Sequence, residues 1–295
     1  MKIIIAILIL SCGSLQAQYQ SHFDSSQVAE RIIFPLASPA QTEQHDKPVY
    51  RMNRPVSIGI TIAGAAASIA GTFAIQHKPV VTAPEVAGLN PNAINGFDRW
   101  VLNQSIPDTV LFTTISTIGL SLTEVLPFIL FFDSSIRQNW INITIMLLET
   151  DAIALTLYEA SPLGPLFQNK FRPMVYKENM LRPPEEGEVR NSFFSGHTAA
   201  AAASSFFIAK VYSDYHPEAN QFLLYGAACI PPLFMAYLRI RAFEHFPSDV
   251  TVGFAVGAIC GIIVPSLHLV PDRDVRVGMF TSPRATGVNM QIALN

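Results

Sequence analysis

The chain has 295 residues, half of them hydrophobic and 14% charged, with a mean hydropathy of +0.33 and a formal net charge of −3. Ordinary soluble domains carry roughly 25% charged residues, so this composition points to a membrane. The lack of a basic surplus excludes a nucleic-acid partner, which would need one to neutralise phosphates along a polymer.

Met1-Lys2, the apolar stretch Ile3 to Leu10 and the small residues up to Ala17 read as a secretory signal over residues 1–17. The apolar part is too short to span a bilayer, which takes about 20 residues. Acylation of Cys12 is the alternative to cleavage after Ala17. Residues 18–55 form a polar lead-in. Apolar stretches at 56–76, 109–132, 138–158, 192–212, 221–238 and 250–270 then predict an all-α fold, a six-helix membrane bundle within a domain spanning 56–270. The alternative is a soluble all-α protein with fully buried helices. The loop 77–108 ends in Asn95-Gly96-Phe97-Asp98-Arg99-Trp100, a candidate interfacial helix with Trp100 at headgroup level. The interval 159–191 is rich in proline and must also be a loop. The tail, 271–295, holds two loosely alternating stretches, Val275-Arg276-Val277 and Gly287 to Leu294, which suit a short irregular or β-like hairpin. Cys229 and Cys260 lie in apolar runs, and the three cysteines make neither a disulfide framework nor a metal-binding spacing.

Three segments carry chemistry. His245 and Asp249 are four residues apart, so on a helix they share a face and Asp249 could accept a bond from one ring nitrogen of His245, freeing the other as nucleophile or base. A capping Asp and a surface His are the plainer account. Pro247 suits a helix start. Arg239 and Arg241 precede them at the end of an apolar run, where arginine ordinarily snorkels, and Glu244 reads as solvated or ion-pairing. Ser195-Gly196-His197-Thr198 opens an Ala-rich run, so Ser195 caps a helix whose free N–H groups offer a phosphate seat, with His197 in the first turn. Lys170-Phe171-Arg172-Pro173 places two cations in the long loop. Arginine grips phosphate oxygens with a planar fork, and lysine adds a point charge. Glu124, Glu149 and Asp151 fall inside apolar stretches, as functional carboxylates or as pairs near a span end.

In this order and at these distances the segments resemble the type 2 phosphatidic acid phosphatase and vanadium haloperoxidase superfamily. Its pattern is Lys-x6-Arg-Pro, Pro-Ser-Gly-His and Ser-Arg-x5-His-x3-Asp. Arg172-Pro173, Ser195-Gly196-His197 and Arg239, His245 and Asp249 match it. The resemblance implies that His245 attacks phosphorus, that Asp249 orients it and that His197 is the acid for the leaving group. It also implies that Arg172, Arg239, Ser195 and Gly196 bind the phosphoryl oxygens, with no metal and no cofactor. Three positions depart from the pattern. The family lysine falls on Pro165, with Lys170 as the residue that could supply its charge, and Phe194 and Leu238 replace a proline and a serine.

The function implied is hydrolysis of a phosphomonoester or diphosphate on a membrane lipid, with the lipid phosphate and the surrounding membrane lipids as partners. A lipid phosphotransferase, a soluble exported acid phosphatase and a non-catalytic phospholipid-binding membrane protein are the competing readings. Bacterial members of the family commonly work at the periplasmic face of the inner membrane. Cleavage of the signal followed by six crossings would instead put the 159–191 loop on the cytoplasmic side.

Overall fold

Ser195 and Pro247 set the starts of the two helices around which the rest is arranged. The computed structural model describes residues 48–105, 108–177, 187–270, 275–282 and 285–292; the proposed signal segment, Cys12 and residues 18–47 lie outside the described residues. The long helices are α1 (Arg54–Gln76), α2 (Thr109–Val125), α3 (Trp140–Glu159), α4 (Gly196–Tyr215), α5 (Gln221–Ala228), α6 (Ile230–Arg241) and α7 (Pro247–His268). A 3₁₀ stretch, Leu126–Phe132, prolongs α2. Pro231 and Pro232 occupy the first turn of α6, where a missing N–H costs nothing, so α5 and α6 together make one broken rod. The result is a six-rod bundle, as the hydrophobic pattern predicted. Two antiparallel strands, β1 (Val275–Ser282) and β2 (Ala285–Ile292), pair Val275 with Ile292 and Ser282 with Ala285 in the tail.

Among the described residues, five of the six rods are long and apolar enough to cross a membrane. Their outer faces carry large apolar side chains in the open: Phe132 is 87% exposed, Phe222 85% and Ile69 72%. A water-soluble protein does not expose contiguous apolar surface on this scale, so this is a membrane protein. The sixth rod, α4, is the exception and sits in the middle. Its Ala and Ser residues, Ala199 to Ser205, are almost all buried against protein.

Close packing explains that position. Gly253, Gly257 and Gly261 lie at four-residue intervals on α7, and a methyl group on any of them would run into the carbonyl oxygen of Ser195, Ala199 or Ala203 respectively. Two matching i, i+4 rows of small residues let the α4 and α7 backbones touch, the packing mode that works where lipid supplies no hydrophobic drive. This seam carries the start of α4 to the start of α7.

The rods alternate in direction, so the bundle has two ends separated by roughly 30 Å, the length of a 20-residue helix. At the far end Val270 N–H donates to the Val49 carbonyl and Arg51 N–H to that of His268, so residues 49–51 pair with the end of α7. Tyr50 Oη donates to Asp214 at 2.6 Å, His216 meets Asp133 at 2.9 Å and His268 meets Glu149 at 2.9 Å. Glu149 is thus a paired carboxylate, although it lies midway along α3 rather than near a span end. The half-exposed Trp100 and Trp140 sit at opposite ends, as side chains of the two membrane interfaces do.

Candidate active site

Backbone pairing assembles the three segments at the other end. Lys170 bridges to Asn191, Ser192 N–H donates to the Lys170 carbonyl at 3.0 Å and Arg172 N–H to that of Val189 at 2.9 Å. This short parallel contact lays the first segment along the approach to the second. Ser195 N–H donates to the Asp249 carbonyl at 3.1 Å, and Met174 N–H to that of Phe243 at 3.1 Å, closing the ring of three.

The turn between α6 and α7 has its own logic. Phe243 has φ of 57°, the left-handed value usually left to glycine. Its N–H returns to the Ile240 carbonyl, and Glu244 N–H returns to that of Arg239 at 3.1 Å. This is the two-bond helix ending known as a Schellman motif. Phe243 is fully buried, and the cavity it fills among Met174, Val175 and Val189 compensates a backbone cost of about 1–2 kcal/mol. The reversal folds Glu244 back beside Arg239, so the carboxylate lies 3.5 Å from Arg239 Nη2 and also pairs with Arg172 Nη1. Arg239 Nη1 additionally donates to Ser116 Oγ of α2 at 3.1 Å. All three ions are buried, so of the two accounts of Glu244 the ion-pairing one holds.

His245 is 1% exposed. Its Nδ1 lies 2.6 Å from the Ser192 carbonyl oxygen. A carbonyl can only accept, so Nδ1 carries the hydrogen and the neutral ring keeps its lone pair on Nε2. Burial holds the ring well below the ordinary imidazole pKa, and the Arg239 and Arg172 guanidiniums push it the same way, with His197 adding to them. His245 is therefore a neutral base facing two cations, and His197, in the first turn of α4, is close enough to feel it.

The expected Asp249–His245 contact is replaced by a longer route. Pro247 takes the first helical position, so α7 begins after His245, and the i, i+4 rule of a helix face does not reach back to it. Asp249 instead caps its own helix through Phe246 N–H at 2.8 Å, accepts Ser192 Oγ–H at 2.6 Å and receives Lys170 Nζ at 2.7 Å. It fixes the residue whose carbonyl holds His245. Lys170 differs too from the phosphate contact expected of it. Its three N–H donors go to Asp249 Oδ1, Ser248 Oγ at 2.9 Å and Asp98 Oδ2 at 3.2 Å, which exhausts an ammonium group. At Pro165, where the family pattern has lysine, the cation nearby is Lys78, whose Nζ bonds the Pro165 and Gln168 carbonyls.

Ser195 caps α4 as expected, its Oγ accepting from Thr198 N at 3.4 Å and Thr198 Oγ1 at 3.0 Å. The Tyr158 ring covers Gly196, 3.0 Å from where a Cβ would stand, so a larger residue there would collide with it. Arg172, Ser195, Gly196, His197, Arg239, His245 and Asp249 thus come together, with Lys170 one layer behind. Asp98, Ser116 and Ser192 complete the site, and none of them stood out in the sequence.

Two histidines and two arginines at one end of an apolar bundle define the class, a membrane phosphatase. Residues 126–271 match the family model of the PAP2 superfamily, and through this segment the chain belongs to that superfamily. Among solved structures, LpxE of Aquifex aeolicus aligns over 56% of this chain and 90% of its own, at 28% identity and a TM-score of 0.38. The first transmembrane PAP2-type phosphatidylglycerolphosphate phosphatase from Bacillus subtilis aligns over 72% and 94%, at 18% identity and a TM-score of 0.41. None of the curated proteins matches the chain.

Proposed function

We propose that the protein hydrolyses a phosphomonoester or diphosphate on a membrane lipid through a phosphohistidine at His245. The observation that carries this reading is the bond from buried His245 Nδ1 to the Ser192 carbonyl, which leaves Nε2 as the lone-pair atom. Nε2 attacks phosphorus as the bond to the lipid oxygen breaks. His197, held neutral by burial and the two arginines, takes up a proton once the negative charge of the bound phosphate offsets them, and gives that proton to the leaving oxygen. Charge developing on the imidazole is met by the Ser192 carbonyl. Charge spread over the phosphoryl oxygens is met by Arg172 and Arg239, by the first N–H groups of α4 at Gly196 and by the Ser195 hydroxyl, whose hydrogen remains available while its oxygen accepts from Thr198. Water then attacks phosphorus, His197 takes its proton, the P–N bond breaks and inorganic phosphate leaves. A lipid substrate is supported by the exposed apolar faces around the site-bearing end, which keep acyl chains in the bilayer while the headgroup enters.

Phosphate release from a panel of lipid phosphates and diphosphates, with His245→Ala alongside, tests the reading. Turnover by the wild type on at least one lipid, reduced to background by the substitution, is expected. Equal release by both proteins would contradict it.

We also propose that the site faces the periplasm across a bacterial inner membrane. The resemblance to bacterial members of the family, which commonly work at that face, supports this; lysine and arginine flank the spans at both ends, Lys78, Arg99, Lys177 and Arg190 at the site end and Arg51, Arg54 and Arg137 at the far end, and so favour neither side. With six crossings this placement keeps residues 48–53 cytoplasmic.

A further inference from the structure

We infer that Asp98 is a positioning residue of the active site, acting through Lys170 and Ser248 on Asp249 and so on the carbonyl that holds His245. The inference rests on the reading of His245 given above and adds a residue from outside the segment, 126–271, that matches the PAP2 family model.

Asp98 lies in the short helix Gly96–Arg99, in the loop between α1 and α2, and is 1% exposed. A carboxylate withdrawn from water at a membrane surface is costly unless its lone pairs are met. They are met by groups of the site. Oδ1 accepts Ser248 N–H at 2.9 Å, and Oδ2 accepts Ser248 Oγ–H at 2.7 Å and Lys170 Nζ at 3.2 Å, with Asn95 Nδ2 at 3.1 Å from its own loop. Burial works against the charge, but the two Ser248 bonds and the Lys170 ammonium outweigh it and hold the Asp98 carboxyl below its ordinary value.

The geometry has a direction. Ser248 stands beside Asp249 in the first turn of α7, so two bonds to Ser248 fix where that turn begins. Lys170 spans Asp98 and Asp249 and also lies over the Phe246 ring at 4.8 Å. One ammonium between two carboxylates has its position set by both. Without the Asp98 charge Lys170 is drawn to Asp249 alone, in competition with Ser192 Oγ–H, whose residue supplies the His245 acceptor. A purely structural bond would anchor the Gly96–Arg99 helix to the bundle and leave the imidazole unaffected.

The test uses the full-length protein. Asp98→Asn keeps the shape and removes the charge, and kcat is expected to fall on the order of 10- to 100-fold, as for a slight misplacement of a reacting group, with KM little changed. Lys170→Met should give a similar loss, and the double variant should be no worse than the worse single one, because both act on one path. Ring-¹⁵N histidine spectra, assigned with His245→Ala, report position independently of turnover. They should show His245 as the single Nδ1–H tautomer in the wild type and as a mixture in Asp98→Asn. Should Asp98→Asn fail to fold, Ser248→Ala removes one side-chain bond from the same carboxylate and should shift the tautomer in the same direction. An unchanged kcat, additive losses in the double variant or an unchanged His245 spectrum would overturn the inference. A wild type without turnover would defeat the proposed function while the spectra still decided the role of Asp98.

Discussion

The two ends of the bundle are both rich in buried or half-buried charge, yet they use it differently. At the far end charged groups link neighbouring helices and turns: Lys210 with Asp214, His268 with Glu149, and His216 with both Asp133 and Glu218. At the site end they form two clusters. Arg172 and Arg239 converge on the one carboxylate of Glu244, while Asp98 and Asp249 converge on the one ammonium of Lys170. Of these groups Arg239 and Arg172 act directly on the His245 ring, and both push its pKa down. The far-end contacts tie helix ends together, whereas the site-end clusters gather charge beside the two histidines.

That contrast can be broken by experiment. The largest expected effect concerns the membrane itself. With cysteine introduced at Gln168 in the site-end loop or at Gln138 near the far end, an impermeant maleimide applied to intact spheroplasts should label the first and not the second. Labelling of Gln138→Cys alone would reverse the proposed orientation, and labelling of both would deny that the ends lie on opposite sides. A smaller effect should follow from Asp214→Asn, which weakens the partners of Tyr50 and Lys210 at the far end. Loss of these bonds should lower stability by about 1–3 kcal/mol, seen as a lower melting temperature in detergent, with kcat and KM close to wild type. A loss of kcat as large as that expected for Asp98→Asn would erase the distinction between a closing pair and a working one.

Much of this was legible in sequence where the signal is local. The six apolar stretches set out the rods, Ser195 marked a cap and Pro247 a helix start. The reading of His245 and Asp249 failed for a local reason as well: Pro247 starts α7 two residues after His245, so helical spacing did not apply across the pair. Lys170, expected at the phosphate, turns away because its partners, Asp98 and Asp249, are 72 and 79 positions distant in the chain. Nothing near Lys170 in sequence announces them. Asp98 was visible only as one polar residue of an interfacial helix, since its importance lies in contacts with Ser248 that arise 150 positions later. The stretch 192–212 read like any other span, and only the glycine row of α7 shows why its helix is the central one.

The central claim is that His245 Nε2 becomes covalently bonded to phosphorus. Rapid acid-free quenching of the protein during turnover of a ³²P-labelled lipid phosphate tests it directly. The account predicts base-stable, acid-labile label on the peptide containing His245 and none in His245→Ala. Turnover without any labelled protein, or label that persists in His245→Ala, would contradict it.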